Sequence, residues 1–437
     1  MSSSACQFTL PATSHNRPSH PIPRNAWIIF ALTVALMLSD YMTRSVITGV
    51  LPDLKALWAL NDSQLGFLVS IVPLIVGITA WPIALMADRW GYVRSVTLMG
   101  AVWCLATILC GVSQSHAQML MARAAVGLGE AGYGSVGGAV LSLTFPSTRI
   151  SAVLGAFQAA AVFGAALGVI AGGVIGAAQG WRSAFIWVGA GSLLLVALFP
   201  LLVREPRRMA AAGVLAPGAM GLRHVVRELL MTSSARFTYL GSGLQIAILA
   251  VIAAWMPSFL AREYGLPADQ AGLRAGVLMV MAGAGMIVGG LLADRAGQRR
   301  RLYFASAYTF ASFALLTTAF AFPAGPAQMA LLLAGATVVG AHAGISVAVI
   351  IDVTHPGLRA TAIATLALSN NLLGLAPGPY LAGAISDATS LRTALMVMPT
   401  AGILASACFL LAGRTYARDL ASNALRGVNR VAGAAAQ

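Results

Sequence analysis

Four ionisable side chains stand where this sequence is most apolar: Asp40, Arg44, Arg123 and Glu130. Arg123 and Glu130 are seven residues apart, two turns along one helix face, inside an apolar run at 118–143. An ionised side chain in such a segment costs about 2.5–3.5 kcal/mol on insertion scales, so it is kept with a partner or a task. At about 1.5 Å of rise per residue, Asp40 lies about 20 Å into its own run and Arg44 about 6 Å beyond it. The run at 118–143 crosses the other way, which brings Glu130 to the level of Asp40 and Arg123 to the level of Arg44. The acids share one layer and the bases another, slightly outside it.

Such a layer suits proton transfer. Burial and a like-charged neighbour favour a neutral carboxyl, a nearby arginine favours the anion, and a change of partner moves the proton. Guanidinium groups keep their charge; they pair with acids or clamp an anionic substrate group. Glu130 is read as the coupling residue with Arg123 as its partner, and Asp40 with Arg44 as substrate-facing or coupling residues beside Tyr41. The alternative is a set of fixed salt bridges that hold two spans together.

The second half of the chain has no comparable charge within its apolar runs. His342 either titrates, meets substrate, or is a satisfied packing histidine. Gln158, Gln245, Trp255, Asn370 and Asn371 offer hydrogen bonds or an aromatic wall, although polar side chains also join helices. This lopsidedness suggests protonation in the first half and an apolar substrate surface in the second, as a lipid-like or amphiphilic anion requires.

The elements that position these residues are membrane spans. Hydrophobic residues make up 58% of the 437 and charged ones 9%, with a mean hydropathy of +0.82, which indicates an all-α polytopic membrane protein. Twelve runs are long enough to cross: 27–47, 65–86, 95–111, 118–143, 151–176, 182–202, 238–260, 275–293, 305–322, 327–351, 362–385 and 394–411. With the N-terminus inside, 20 of the 27 Lys and Arg fall on the cytoplasmic side and five outside, so both termini are expected in the cytoplasm. The net charge of +14 then belongs to loops facing anionic lipid, and no nucleic acid is implied. Cys6, Cys104, Cys110 and Cys408 lack metal spacing, no metal or cofactor is expected, and a disulfide framework is not. Neither a catalytic constellation nor a Gly-x-x-x-x-Gly-Lys loop is present, which argues against an enzyme and against a nucleotide-driven pump.

Residues 1–24 read as a disordered cytoplasmic tail before a retained span, 25–203 and 235–413 as six-helix bundles, 204–234 as a basic linker, and 414–437 as a basic cytoplasmic tail. Within the linker, 223–230 is either a helix on the membrane surface or ordinary solvated chain. An internal repeat supports the division. Ala-Leu-Met-Ala-Asp-Arg-Trp-Gly-Tyr-Val-Arg at 84–94 matches Gly-Leu-Leu-Ala-Asp-Arg-Ala-Gly-Gln-Arg-Arg at 290–300, and Pro146 to Arg149 echoes Pro356 to Arg359. Asp88 and Asp294 end a helix where a carboxylate meets a neighbouring helix N-terminus or an arginine, while Gly91 and Gly297 permit a tight reversal.

These duplicated Asp-Arg-x-Gly loops resemble the major facilitator superfamily over essentially the whole chain. The resemblance implies two pseudo-symmetric six-helix bundles, alternating access, and a cytoplasmic gate of Asp88, Arg89, Gly91, Asp294, Arg295, Gly297 and Arg300 that latches the halves while the protein faces outward. Anchoring of Arg89 and Arg295 to headgroups is the other reading. The first copy departs at Ala84, Met86 and Tyr92-Val93.

A closer resemblance is to the spinster-like branch, with organic anion and cation symporters as neighbours. It is carried by Ser39 to Arg44, Val50 to Leu54, Asn61 to Leu68, Ala122-Arg123 with Gly127 to Ala131, Gly180 to Phe185, Leu373-Gly374 with Gly378-Pro379, and Ser386-Asp387. In that branch arginine usually follows the first acid directly, whereas Tyr41 follows Asp40 here. Gly164 to Gly173 is similar to an antiporter signature with Val169 in place of its proline, which leaves transport direction open; small residues four apart there, and at Gly374, Gly378 and Gly383 with Pro379, permit close helix contact.

Residues and resemblance together lead to an expected function: a monomeric, proton-coupled secondary transporter in the bacterial inner membrane, surrounded by lipid, that moves an organic, amphiphilic or lysolipid-like anion. A symporter or uniporter of a small carboxylate is the alternative.

Overall fold

A computed structural model describes residues 24–145, 149–203, 229–354 and 358–435, and these are helical with no strand among them. The first half contains α1 (Arg24–Gly49), α2 (Leu51–Trp58), α3 (Asp62–Trp90), α4 (Tyr92–Val112), α5 (His116–Glu130), α6 (Tyr133–Thr144), α7 (Ile150–Gln179) and α8 (Trp181–Leu202). The second contains α9 (Ser233–Tyr264), α10 (Ala268–Arg295), α11 (Arg301–Ala321), α12 (Pro326–Val339), α13 (Ala343–Val353), α14 (Arg359–Ser369), α15 (Pro377–Ala388), α16 (Leu391–Val397) and α17 (Ala401–Ala435). Large apolar side chains such as Ile78, Leu105, Leu194 and Leu201 point outward, as helices bathed in lipid require.

Among the described residues ten helices are long and apolar enough to cross a membrane. The two other expected spans, 118–143 and 362–385, are helical but interrupted. Chain 131–132 separates α5 from α6, and a π-helix, Asn370–Leu375, joins α14 to α15. The run 327–351 is likewise split into α12 and α13 at 340–342, the place in the second half that corresponds to the α5/α6 break. Hydropathy counts apolar residues and is blind to such breaks.

Two boundaries shift. The final helix continues to Ala435, so most of the stretch read as a tail from 414 is helical. Residues 1–23, 204–228, and with them most of the linker and its surface-helix reading, lie outside the described residues, as do the side chains of Asp88 and Arg89.

Backbone contact through glycine sets the positions of the central helices. A side-chain carbon at Gly164, Gly168 or Gly172 of α7 would strike the α1 carbonyl of Leu38, Met42 or Val46. One at Gly173 would strike the Ala268 carbonyl of α10, in the opposite half. The halves meet along α7 with α10 and along α3 with α15. Gly91 and Gly297 take φ of 88° and 90° in the two repeated loops, the left-handed region that favours glycine.

Gly168→Val is expected to lower the thermal midpoint of the purified protein, with an overpacking cost of about 1–3 kcal/mol. Gly155→Ala, where the added carbon meets nothing within 4 Å, leaves it unlowered. Equal losses in a thermal melt would contradict this account of the α1 and α7 contact.

Candidate functional site

The α5/α6 break leaves Glu130 as the last residue of α5, facing α1. Arg44 Nε of α1 lies 3.3 Å from Glu130 Oε2; the Arg44 side chain is 17% exposed and that of Glu130 3%. Arg44 is therefore the member of the pair that a solute reaches. Its guanidinium also lies 5.5 Å from the centre of the Tyr41 ring.

Arg123 is placed differently from the sequence expectation. It is buried, and its Nε donates to the Leu68 carbonyl at 3.1 Å while Nη2 donates to the Arg44 carbonyl at 3.0 Å. Its hydrogen bonds thus stitch α5 to α3 and α1, and the direct partner of Glu130 is Arg44. Seven residues of helix separate Arg123 from Glu130 by about 10 Å of rise, whereas Arg44 approaches from the facing helix.

Asp40 is buried in the same layer, and Thr43 Oγ1 binds its backbone carbonyl at 2.7 Å. Asp40 Oδ1 and both Glu130 carboxylate oxygens lack a protein hydrogen-bond partner, as do the nearby chain's Ser39 Oγ and Thr33 Oγ1. Buried polar atoms are normally satisfied, so under-partnered acids mark a site for water, a proton or a ligand. One directly paired guanidinium serves two buried carboxyls.

The second half is packed. His342, fully buried at the α12/α13 break, has Nδ1 3.2 Å from the Val339 carbonyl and its ring 6.1 Å from that of Phe409. Gln245 Nε2 donates to Ser312 Oγ at 2.8 Å and to the Val339 carbonyl at 3.1 Å, and Trp255 Nε1 donates to the Pro379 carbonyl at 3.0 Å. Ser242 Oγ donates to Asn370 Oδ1 at 2.9 Å, and Asn371 Nδ2 donates to the Ala367 carbonyl at 2.9 Å. Gln158 is exposed on α7. Most of these polar groups join helices; the charged layer stays on α1 and α5.

At the repeated loops, Asp294 turns to its own half, with Oδ1 2.9 Å from Arg301 Nη2. Arg301 Nη1 also lies 3.3 Å from Asp352 Oδ2, which accepts from Tyr416 Oη at 2.6 Å. Arg295 and Arg300 are exposed. These contacts tie α10, α11, α13 and α17 of the second half together.

Among the described residues, a group of hydrogen bonds joins the two halves at the opposite end. Arg262 of α9 donates to both Asp62 oxygens, at 2.7 and 2.8 Å, and Ser386 Oγ and Lys55 Nζ donate to the same carboxylate. Asp387 accepts from the backbone N–H groups of Asp62 and Ser63 at 2.6 and 2.8 Å. Phe67 and Tyr380 pack edge to face beneath them, 5.9 Å apart. The sequence does not announce this cluster: Lys55 and Arg262 are two of the five basic residues counted outside, and Asn61-Asp62-Ser63-Gln64 has only the signature of a helix start.

The profile of the Major Facilitator Superfamily matches residues 33–376 and 237–432. Over 416 residues the chain is 27% identical to an MFS-type efflux pump of Mycolicibacterium smegmatis, covering 92% of this chain and 96% of that one. It is 27% identical over 431 residues to Protein spinster homolog 3 of Danio rerio, covering 89% and 85%. Its fold is similar to that of a bacterial homolog of the human lysosomal transporter spinster, crystallised in an inward-facing and unoccupied conformation, with a TM-score of 0.80, 21% identity, and 91% and 98% of the two chains covered.

Arg123→Gln is expected to cost more stability than Arg44→Gln, because it removes two hydrogen bonds from a buried guanidinium, at about 1.5–3 kcal/mol each, whereas Arg44 is part-exposed and makes one 3.3 Å contact with Glu130. Thermal melts of both variants in detergent check this; an equal loss would return Arg44 to a purely structural role.

Proposed function

The chain belongs to the Major Facilitator Superfamily and is a membrane transporter of the spinster type rather than an enzyme, and from that premise we propose that it is a proton-coupled secondary transporter of an organic, amphiphilic or lysolipid-like anion. The observation that carries the reading is the contact of Glu130 with Arg44: a buried carboxyl whose direct partner is a part-exposed cation. An anion that reaches Arg44 competes with Glu130 for the same charge. Glu130, deprived of its partner in an apolar bundle, binds a proton. Anion and proton then favour each other's binding, and the linkage is reciprocal.

Asp40, buried in the same layer, extends the acidic site, and Tyr41 forms an aromatic face beside the bound anion. Arg123 acts as a pin. Part-exposed apolar residues on the π-helix, Leu372 and Leu373, are the second half's candidates for contact with an acyl chain or another apolar body. The bundles 25–203 and 235–413 rock about this central site, with both termini in the cytoplasm of a bacterial inner membrane and one chain sufficient for transport.

The test is flux in proteoliposomes under an imposed pH gradient, with candidate organic acids and lysolipids. The expected result is gradient-stimulated flux in the parent protein and gradient-independent flux in Glu130→Gln. Flux indifferent both to the gradient and to the substitution would overturn proton coupling.

A further inference from the structure

The first turn of α3 is completed by the other half of the protein. A helix start leaves its first N–H groups without partners in the helix. Here the accounting closes: Asn61 Oδ1 accepts from Gln64 N at 2.8 Å, Gln64 Oε1 accepts from Asn61 N at 3.1 Å, and Leu65 N reaches back to the Asn61 carbonyl at 3.2 Å. This is a reciprocal capping box within one half. The two remaining donors, Asp62 N and Ser63 N, go to the Asp387 carboxylate of α15, across the interface.

The Asp62 side chain is shared in the same manner. Arg262 grips it from α9 with two parallel hydrogen bonds and Ser386 from α15, while Lys55 holds it from its own half. Two acids face two bases, so the cluster is balanced. Glycine makes the approach possible, because a side-chain carbon at Gly383 would strike the Asp62 carbonyl and one at Gly66 the Pro379 carbonyl.

We propose that Asp387 caps α3 in trans and that, together with the Arg262 and Asp62 pair, it forms a releasable clasp that shuts the end of the transporter remote from the repeated loops. The clasp sets the balance between the two conformations. Release is feasible because the first half keeps resident partners of its own: the Asn61 and Gln64 box keeps α3 capped, and Lys55 stays with Asp62. Water satisfies the two freed N–H groups at the helix end. Asp387, Arg262 and Asp62 are therefore positioning residues that act on access to the central site without touching substrate. This inference rests on alternating access but is independent of which anion or ion is carried.

A sided accessibility measurement tests it. Ser70 is buried beneath the clasp, where its Oγ accepts from Tyr380 N at 3.2 Å. Ser70→Cys is made with Cys6→Ser; Cys104, Cys110 and Cys408 are buried. A membrane-impermeant thiol reagent is applied to whichever face labels an exposed reference, Gln270→Cys. Adding Asp387→Asn or Arg262→Gln is expected to raise the labelling rate at position 70 at least about threefold, with the rate at position 270 unchanged, and Asp387→Glu is expected to restore the slow rate. Unchanged labelling at position 70, or an equal rise at position 270 that signals general loosening, overturns the clasp. Monodisperse elution of each variant accompanies the rates. Because the readout is access rather than flux, a failure of proton coupling leaves this result intact, and a failure of the clasp leaves coupling intact.

Discussion

A guanidinium cannot be left bare inside an apolar helix bundle, and the first half of this protein is organised around satisfying two of them in different ways. Arg123 is spent on the Leu68 and Arg44 carbonyls, and in binding them it fixes α5 against α3 and α1. That fixation brings Glu130 to Arg44. If Arg123 were to pair with the acid instead, its ties from α5 to α3 and α1 would be lost and Arg44 would lose its partner. One arginine fastens helices, and the other meets the acid from a part-exposed position.

That arrangement depends on backbone geometry as much as on charge. Glycines 164, 168 and 172 press α7 against α1, which leaves α1, with Asp40 and Arg44 one turn apart on it, little room to shift. The break after Glu130 ends α5 at the acid, and its counterpart after α12 places His342 in the second half. There the two halves diverge: the histidine is enclosed by Phe409 and the Val339 carbonyl, while the glutamate faces a part-exposed arginine. Repeated architecture thus carries a charged pair in the first half and a buried histidine, with its Nε2 unpartnered, in the second.

Much of this was legible in the sequence. Depth along helices of fixed rise places Asp40, Arg44, Arg123 and Glu130 in a common layer without knowledge of any contact, and the repeated loops announce two similar halves. The pairing with Arg44 was not legible, because which α1 side chain faces Glu130 depends on how α1 and α5 are turned towards each other, and that is set by contacts between helices. The remote clasp was hidden for another reason. Asp62 and its partners Arg262 and Asp387 are separated by 200 and 325 residues, and no local pattern joins them. Interruptions at 131–132 and at the π-helix, and the continuation of α17 to Ala435, are likewise invisible to a count of apolar residues.

The central claim is that Glu130 gains and loses a proton as Arg44 changes partner. Infrared difference spectroscopy of the reconstituted protein across a pH step observes this directly through the carbonyl stretch of a protonated carboxylic acid. The account predicts a difference band that disappears in Glu130→Gln and shifts its midpoint in Arg44→Gln, with Arg262→Gln leaving it in place. A band that survives Glu130→Gln unaltered would contradict it.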